Sequence, residues 1–166
     1  MSSDAIVILR EDHKRIKALF RRFAETGPRA ETRRGELTAQ ILRELTVHTH
    51  LENEVMYPEV RRLVPDLEAD ILESYEEHHV ADLLAAELAN LPVSDERFVA
   101  KMTVLAENVT HHIAEEEDDW FPVVREALSR TQLQEIGQRM EQLRPSAPTQ
   151  PSQPSALRRA VDAVIP

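Results

Sequence analysis

Apolar residues recur along this chain in steps of three and four, the spacing that lines one side of an α-helix. Four such stripes can be traced. The first runs Ile6, Leu9, His13, Ile16, Phe20, Phe23, and the second Leu37, Ile41, Leu45, His48, Glu52, Val55. The third runs Leu67, Ile71, Ser74, His78, Ala81, Ala85, Leu88, and the fourth Phe98, Met102, Leu105, Val109, His112, Glu116. Ser2, Ser3 and Asp4 supply a start for the first helix, and Gly27-Pro28 ends it. The second helix is predicted over residues 31–56, with Pro58 stopping or kinking it. Asp66 is the expected N-cap of a third helix that reaches Asn90, just before Leu91-Pro92. Ser94 is the expected cap of the fourth, with Asp95 and Glu96 in its first turn, and that helix reaches about Glu117.

Long helices joined by short loops predict an all-α fold, an antiparallel up-down-up-down four-helix bundle. A short helix is expected over residues 131–143. After Arg144 the composition changes to PSAPTQPSQPSA, which cannot bury a core and reads as a flexible linker. Residues 1–144 are therefore expected to form the bundle. Residues 145–166 are expected to form a tail that ends in a small amphipathic helix over residues 157–165.

Each stripe contains a residue that does not belong in a core: His13, His48 with Glu52, His78, and His112 with Glu116. Burying such groups without partners costs several kcal/mol. The misfits also repeat. His48, Glu52 and Pro58 have the spacing of His112, Glu116 and Pro122, each moved by 64 residues. His13 to His78 is a shift of 65, under which Leu19 falls on Leu84 and Phe23 on Leu88. Choosing His79 instead would set Ile16 opposite Asp82, so His78 is the preferred inward residue and His79 the alternative. A His and a Glu four residues apart share one helix face, about one turn apart.

Four imidazoles and two carboxylates in a helical core suit iron, and less exclusively manganese or zinc. Two octahedral metals offer twelve positions; four His and two bridging carboxylates fill eight, leaving four for a bridging oxygen and outside ligands. The expected metal set is His13, His48, Glu52, His78, His112 and Glu116. The expected cofactor is a pair of iron ions, an oxo- or hydroxo-bridged di-iron centre. His50, His79 and His111 lie off the stripes and are read as solvent-facing. Glu115, Glu117, Asp118 and Asp119 are read as a hydrated acidic face. Tyr57 and Tyr75 are read as core aromatics, each near enough to a ligand to be a further donor.

Composition narrows the partners. The chain has 30 acidic against 20 basic residues, a formal charge of -10, which argues against nucleic acid or an anionic membrane. It has no Cys, so disulfides, thiolate ligands and thiol redox chemistry are excluded. The apolar run at residues 5–9 is too short for a secretory signal, and no stretch approaches the roughly 20 apolar residues of a membrane span. A cytoplasmic protein is expected.

The pattern resembles the hemerythrin-like HHE cation-binding family over about residues 4–128. The matching residues are Asp12-His13, the run His48-Thr49-His50-Leu51-Glu52 leading to Tyr57-Pro58, Glu77-His78-His79, and His112-Ile113-Ala114-Glu115-Glu116 leading to Phe121-Pro122. The resemblance implies a four-helix bundle around a non-haem di-iron site whose members bind dioxygen, nitric oxide or peroxide, sense oxygen or iron, or repair iron-sulfur clusters. Oxygen carriers resemble a five-His set, and the place of the extra His is Ser74 here. The cluster-repair branch carries an amino-terminal Cys segment that this chain lacks. The Glu-x-x-His motif of ferritin-like proteins is not found here. The stand-alone members remain, for which the resemblance implies peroxidase- or catalase-like chemistry or nitric oxide processing. The alternative is a non-enzymatic iron or oxygen sensor, or an iron-binding module, signalling to a protein partner through the carboxy-terminal tail.

Overall fold

A computed structural model describes residues 4–152 of the chain, and these are helical between short turns. The elements are α1 (Ala5–Ala24), α2 (Glu31–Leu51), α3 (Tyr57–Leu63), α4 (Glu68–Asn90), α5 (Phe98–Glu115), α6 (Phe121–Ala127) and α7 (Arg130–Leu143). Two π-helical turns, Glu52–Met56 and Glu116–Trp120, join α2 to α3 and α5 to α6 without a break. The described residues therefore form five helical rods. Asp4 caps α1 through the Val7 N–H, and a Ser129–Gln132 capping box starts α7, one residue before the predicted start.

The two prolines account for the π turns. Pro58 and Pro122 have no N–H to donate, and in a regular α-helix each ring would meet the carbonyl four residues back. Adding one residue to the turn relieves this: the Tyr57 N–H reaches the Glu52 carbonyl, and the Phe121 N–H reaches that of Glu116. The second and fourth rods therefore run past their predicted ends at residue 56 and near Glu117. Two expected caps are also not formed. Pro65–Leu67 is a 3-10 turn, so Asp66 does not cap α4, which starts at Glu68 without a side-chain cap. Ser94 gives way to Asp95, whose carboxylate accepts from the Arg97 N–H ahead of α5.

The core falls into two clusters. Leu9, Val55, Tyr57, Ile71, Trp120, Phe121 and α7's Ile136 and Met140 belong to one. Ile16, Leu45, Ala81, Val109 and Ile113 belong to the other, with Phe23, Leu37, Leu88 and Met102. Along each stripe the polar misfit lies between a member of the first cluster and a member of the second. A buried polar layer thus separates two hydrophobic ones.

The segment after Arg144 does not leave the bundle at once. Arg144–Ser146 forms a 3-10 turn, Ala147 is buried, and Thr149 and Gln150 line a cleft with Gly35, Leu42 and Leu88. Residues 153–156 of the Pro/Ser run and the helix expected over residues 157–165 lie outside the described residues. Among the described residues no helix is long and apolar enough to cross a membrane.

Away from the polar layer, burial raises the Asp82 carboxyl on α4 from 3.8 to about 6, against the opposing charge of His79. A carboxyl held above its unfolded value stabilises the fold when protonated. That contribution is present below about pH 4 and is lost as pH rises through about 6. Asp82→Asn should therefore raise stability at pH 7 by on the order of 2 kcal/mol. In urea unfolding the gain over wild type should shrink to nothing near pH 4; a gain that does not change with pH would refute this account.

Candidate metal centre

The four predicted histidines and two glutamates meet in the polar layer, each buried. α1 delivers His13, α2 and its π turn deliver His48 and Glu52, α4 delivers His78, and α5 and its π turn deliver His112 and Glu116. His13 Nε2 lies 3.1 Å from Glu116 Oε2 and 4.0 Å from Glu52 Oε1. His48 Nε2 lies 3.1 Å and His78 Nε2 3.3 Å from Glu52 Oε2. His112 Nε2 lies 3.3 Å from Glu116 Oε1 and 3.0 Å from His78 Nε2. Potential donor atoms of His13, His48, Glu52 and Glu116 all fall within 4.8 Å of one another, and so do those of Glu52, His78 and His112. Glu52 belongs to both groups, and Glu116 reaches a histidine of each.

Each imidazole is held from outside. His13 Nδ1 meets Glu117 Oε1 at 2.8 Å, His78 Nδ1 meets Asn53 Oδ1 at 2.9 Å, and His112 Nδ1 meets Glu77 Oε2 at 2.5 Å. His48 Nδ1 lies 3.6 Å from Asp12 Oδ2, which Arg144 holds from its other side at 2.9 Å. These outer oxygens are acceptors, so the three hydrogen-bonded pairings assign a proton to Nδ1 of His13, His78 and His112 and leave each Nε2 lone pair facing inward. Acceptors then face acceptors. His13 Nε2, both nitrogens of His48, both oxygens of Glu52 and Oε2 of Glu116 are buried without a hydrogen-bond partner. A set of inward lone pairs that no protein donor satisfies is what a cation stabilises.

Ionisation follows from the same crowding. Burial opposes the charge on Asp12, but His48 and Arg144 outweigh it and hold the carboxyl at about 2. Burial and the neighbouring Glu116 charge push Glu52 well up. Burial acts on Glu116 in the same sense, yet His112 and His13 hold it well down. Burial, reinforced by the His112 charge, depresses His78 strongly. His112 goes up despite burial because Glu116 and Glu77 flank it.

Other residues keep their sequence reading in part. His78 points inward and His79 is half-exposed; His111 is exposed and pairs with Glu115 at 3.1 Å. His50, read as solvent-facing, is half-buried. Asp118 and Asp119 are exposed as expected, but Glu117 is half-buried against His13 and Lys17. Glu77 and Asn53 had no place in the sequence reading as partners of the histidines. Their one local signal is position: Glu77 precedes His78 and Asn53 follows Glu52, on the flank of an inward-facing residue. Tyr57 is fully buried with its hydroxyl donating to Glu116 Oε1 at 2.8 Å. Tyr75 stands edge-on to it, its hydroxyl 3.4 Å from the Asn53 carbonyl.

Residues 4–124 match the hemerythrin HHE cation binding domain, and the chain belongs to that family, as the motifs implied. The crystal structure of a hemerythrin HHE cation binding domain-containing protein from Mycobacterium kansasii superposes with a TM-score of 0.72 at 28% identity. The match covers 87% of this chain and 89% of that one. A DNA nickase from Nostoc sp. is 29% identical over 128 residues, 77% of this chain and 35% of the nickase. This chain thus spans about a third of the length of that relative.

The outer partners should set cation affinity. Glu77→Ala and Asn53→Ala should each weaken binding about 10- to 100-fold in a metal titration, since each frees the ring it orients. Asp118→Ala, on the exposed face, should leave affinity unchanged; equal losses in all three would refute the role given to the outer partners.

Proposed function

We propose that this chain holds two iron ions among His13, His48, Glu52, His78, His112 and Glu116, and acts on peroxide, nitric oxide or dioxygen. The observation that carries this reading is the pair of buried donor groups that share Glu52, together with the lone pairs of His13, His48, Glu52 and Glu116 that no protein donor satisfies. A mixed imidazole and carboxylate set without thiolate suits iron. Bound iron would supply Lewis acidity and one-electron redox chemistry. The chain's own residues hold the rings in one tautomer, share the carboxylates between the halves, and keep bulk water out. A cavity of about 10 Å³ bordered by His48, His78 and His112, with Leu45, Ala81, Val109 and Ile113 in its wall, has room for one water-sized molecule. That size favours diatomic or peroxide ligands over an organic substrate.

The up-down-up-down arrangement of four main helices belongs to the same reading. Asp12 faces His48 while Arg15 faces Glu44, and Lys101 faces Glu87 while His112 faces Glu77. Partner numbers fall as helix numbers rise, as in antiparallel neighbours. A second reading, sensing through residues 145–166, is favoured by one contact. Arg144, at the start of the tail, grips the Asp12 carboxylate that flanks His48. A change at His48 would thereby be felt where the tail begins.

Metal analysis of purified protein should give two irons per chain. At a free iron concentration one hundred times the dissociation constant, unfolding should cost about 2.7 kcal/mol more than without metal. Glu52→Ala and Glu116→Ala should each lose iron, while one metal per chain, or zinc as the resident ion, would count against the proposal. The acidic surface leads us to expect no action on nucleic acid, although a longer relative bears the name of a nickase. Iron-loaded chain should leave supercoiled plasmid intact on agarose gels; nicking that Glu52→Ala abolishes would place DNA among its substrates.

A further inference from the structure

A groove of about 650 Å³ runs between α1 and α5. Phe20 and Phe23 of α1 and Met102 of α5 form its floor, buried in the core cluster behind them. The wall on α5 carries Val99, Ala106 and Ala114, which share one helix face with Thr103 and Thr110. The small side chains at Ala106 and Ala114 do not reach across to α1, so the space between the helices stays open. Val99 is left 40% exposed in that wall. From Val99 to Ala114 the helix rises roughly 22 Å, at about 1.5 Å per residue. The groove is thus long, apolar at its base and open to solvent.

One end of the groove carries a cation. Phe23 meets Phe98 with ring centroids 6.4 Å apart, which sets the end of α1 beside the start of α5. There Arg34 reaches in from α2. Its Nε donates to Thr26 Oγ1 at 3.0 Å, and that hydroxyl donates to the Phe23 carbonyl at 2.7 Å. The side chain is thereby held half-buried at the edge of the apolar floor, and no carboxylate of the described residues pairs with it. Its neighbour Arg33 is exposed and pairs with Glu36 at 3.1 Å. An arginine fixed through Nε keeps its two terminal nitrogens for another acceptor, and its planar fork matches a carboxylate. Glu107, the acidic group that lines the groove, stands exposed about two turns along α5 from Val99.

We infer that this groove binds a free long-chain fatty acid, with its alkyl chain on Phe20, Phe23, Met102 and Ala106 and its carboxylate on Arg34. An apolar body with one anionic end is the ligand whose two parts both find partners here. The length of the α5 wall suits an extended alkyl chain, and Arg34 decides at which end the head lies. The inference is independent of the metal layer, since none of His13, His48, Glu52, His78, His112 and Glu116 lines the groove.

Isothermal titration of the full chain should detect decanoate binding, with affinity rising about fourfold for each methylene added between octanoate and dodecanoate. Wild-type chain should prefer decanoate to decanol, which has the same alkyl chain and no charge. Arg34→Gln should weaken decanoate binding about 10- to 100-fold, through loss of the charged hydrogen-bonding partner, and leave decanol binding unchanged. Arg33→Gln should bind decanoate as wild type does. Ala106→Phe, which fills the groove, should lower affinity for both ligands. Equal binding of decanoate and decanol by wild-type chain would overturn the inference whether or not the variants fold, and so would an Arg34→Gln chain that binds decanoate normally. Absence of decanoate binding would overturn it as well; if that chain sediments as a dimer that Val99→Glu separates, the occupant of the groove is a second copy.

Discussion

The structure depends on the burial of six ionisable side chains in one layer across a helical core. Isolated, each would cost several kcal/mol to take from water. Together they are arranged so that three rings are hydrogen-bonded from outside, the fourth, His48, faces Asp12, and the Nε2 atoms face inward. The hydrophobic clusters on either side exclude water from the layer without satisfying it. The fold thereby holds a set of donors in place ahead of any ligand, which is the physical content of its kinship with cation-binding proteins.

Proline turns this layer into a site with two halves. At Pro58 and Pro122 the helix widens by one residue instead of ending, and the rods continue into the cluster that includes α7. Widening changes the phase of the helical turns beyond it. Residues five apart come into line, so an aromatic ring closes the layer on each side. In one half that ring is Phe121, packed on His13, and in the other it is Tyr57, with its hydroxyl among the donors. A repeat that is regular in its backbone is thus irregular in its chemistry.

The same layer reaches the start of the tail. Asp12 lies between His48 and Arg144, and these two partners hold it ionised despite its burial. Ala147, Thr149 and Gln150 then run along the surface of α2 and α4. Pro/Ser composition alone suggests a linker from residue 145 onward, but the Arg144 anchor and the cleft beside Gly35 bring the first residues of that run against the bundle.

Periodicity in the sequence was enough to identify the helices, the inward face of each, and the six side chains that interrupt those faces. These are local properties: a helix places residues three and four apart together whatever it packs against. The 64-residue repeat added that the interruptions belong to one construction. What the sequence did not reveal were relations between helices. That Glu77 on α4 would hold His112 on α5, and that Glu117 would turn from the acidic face to His13, depends on how neighbouring rods are rotated and offset. The caps at Asp66 and Ser94 failed for a related reason, since nearby turns took up the residues that would have formed them. The place of the Tyr57 hydroxyl required both the widened turn and the opposing helices. Helical spacing fixes which way a side chain faces, whereas only packing fixes what it meets.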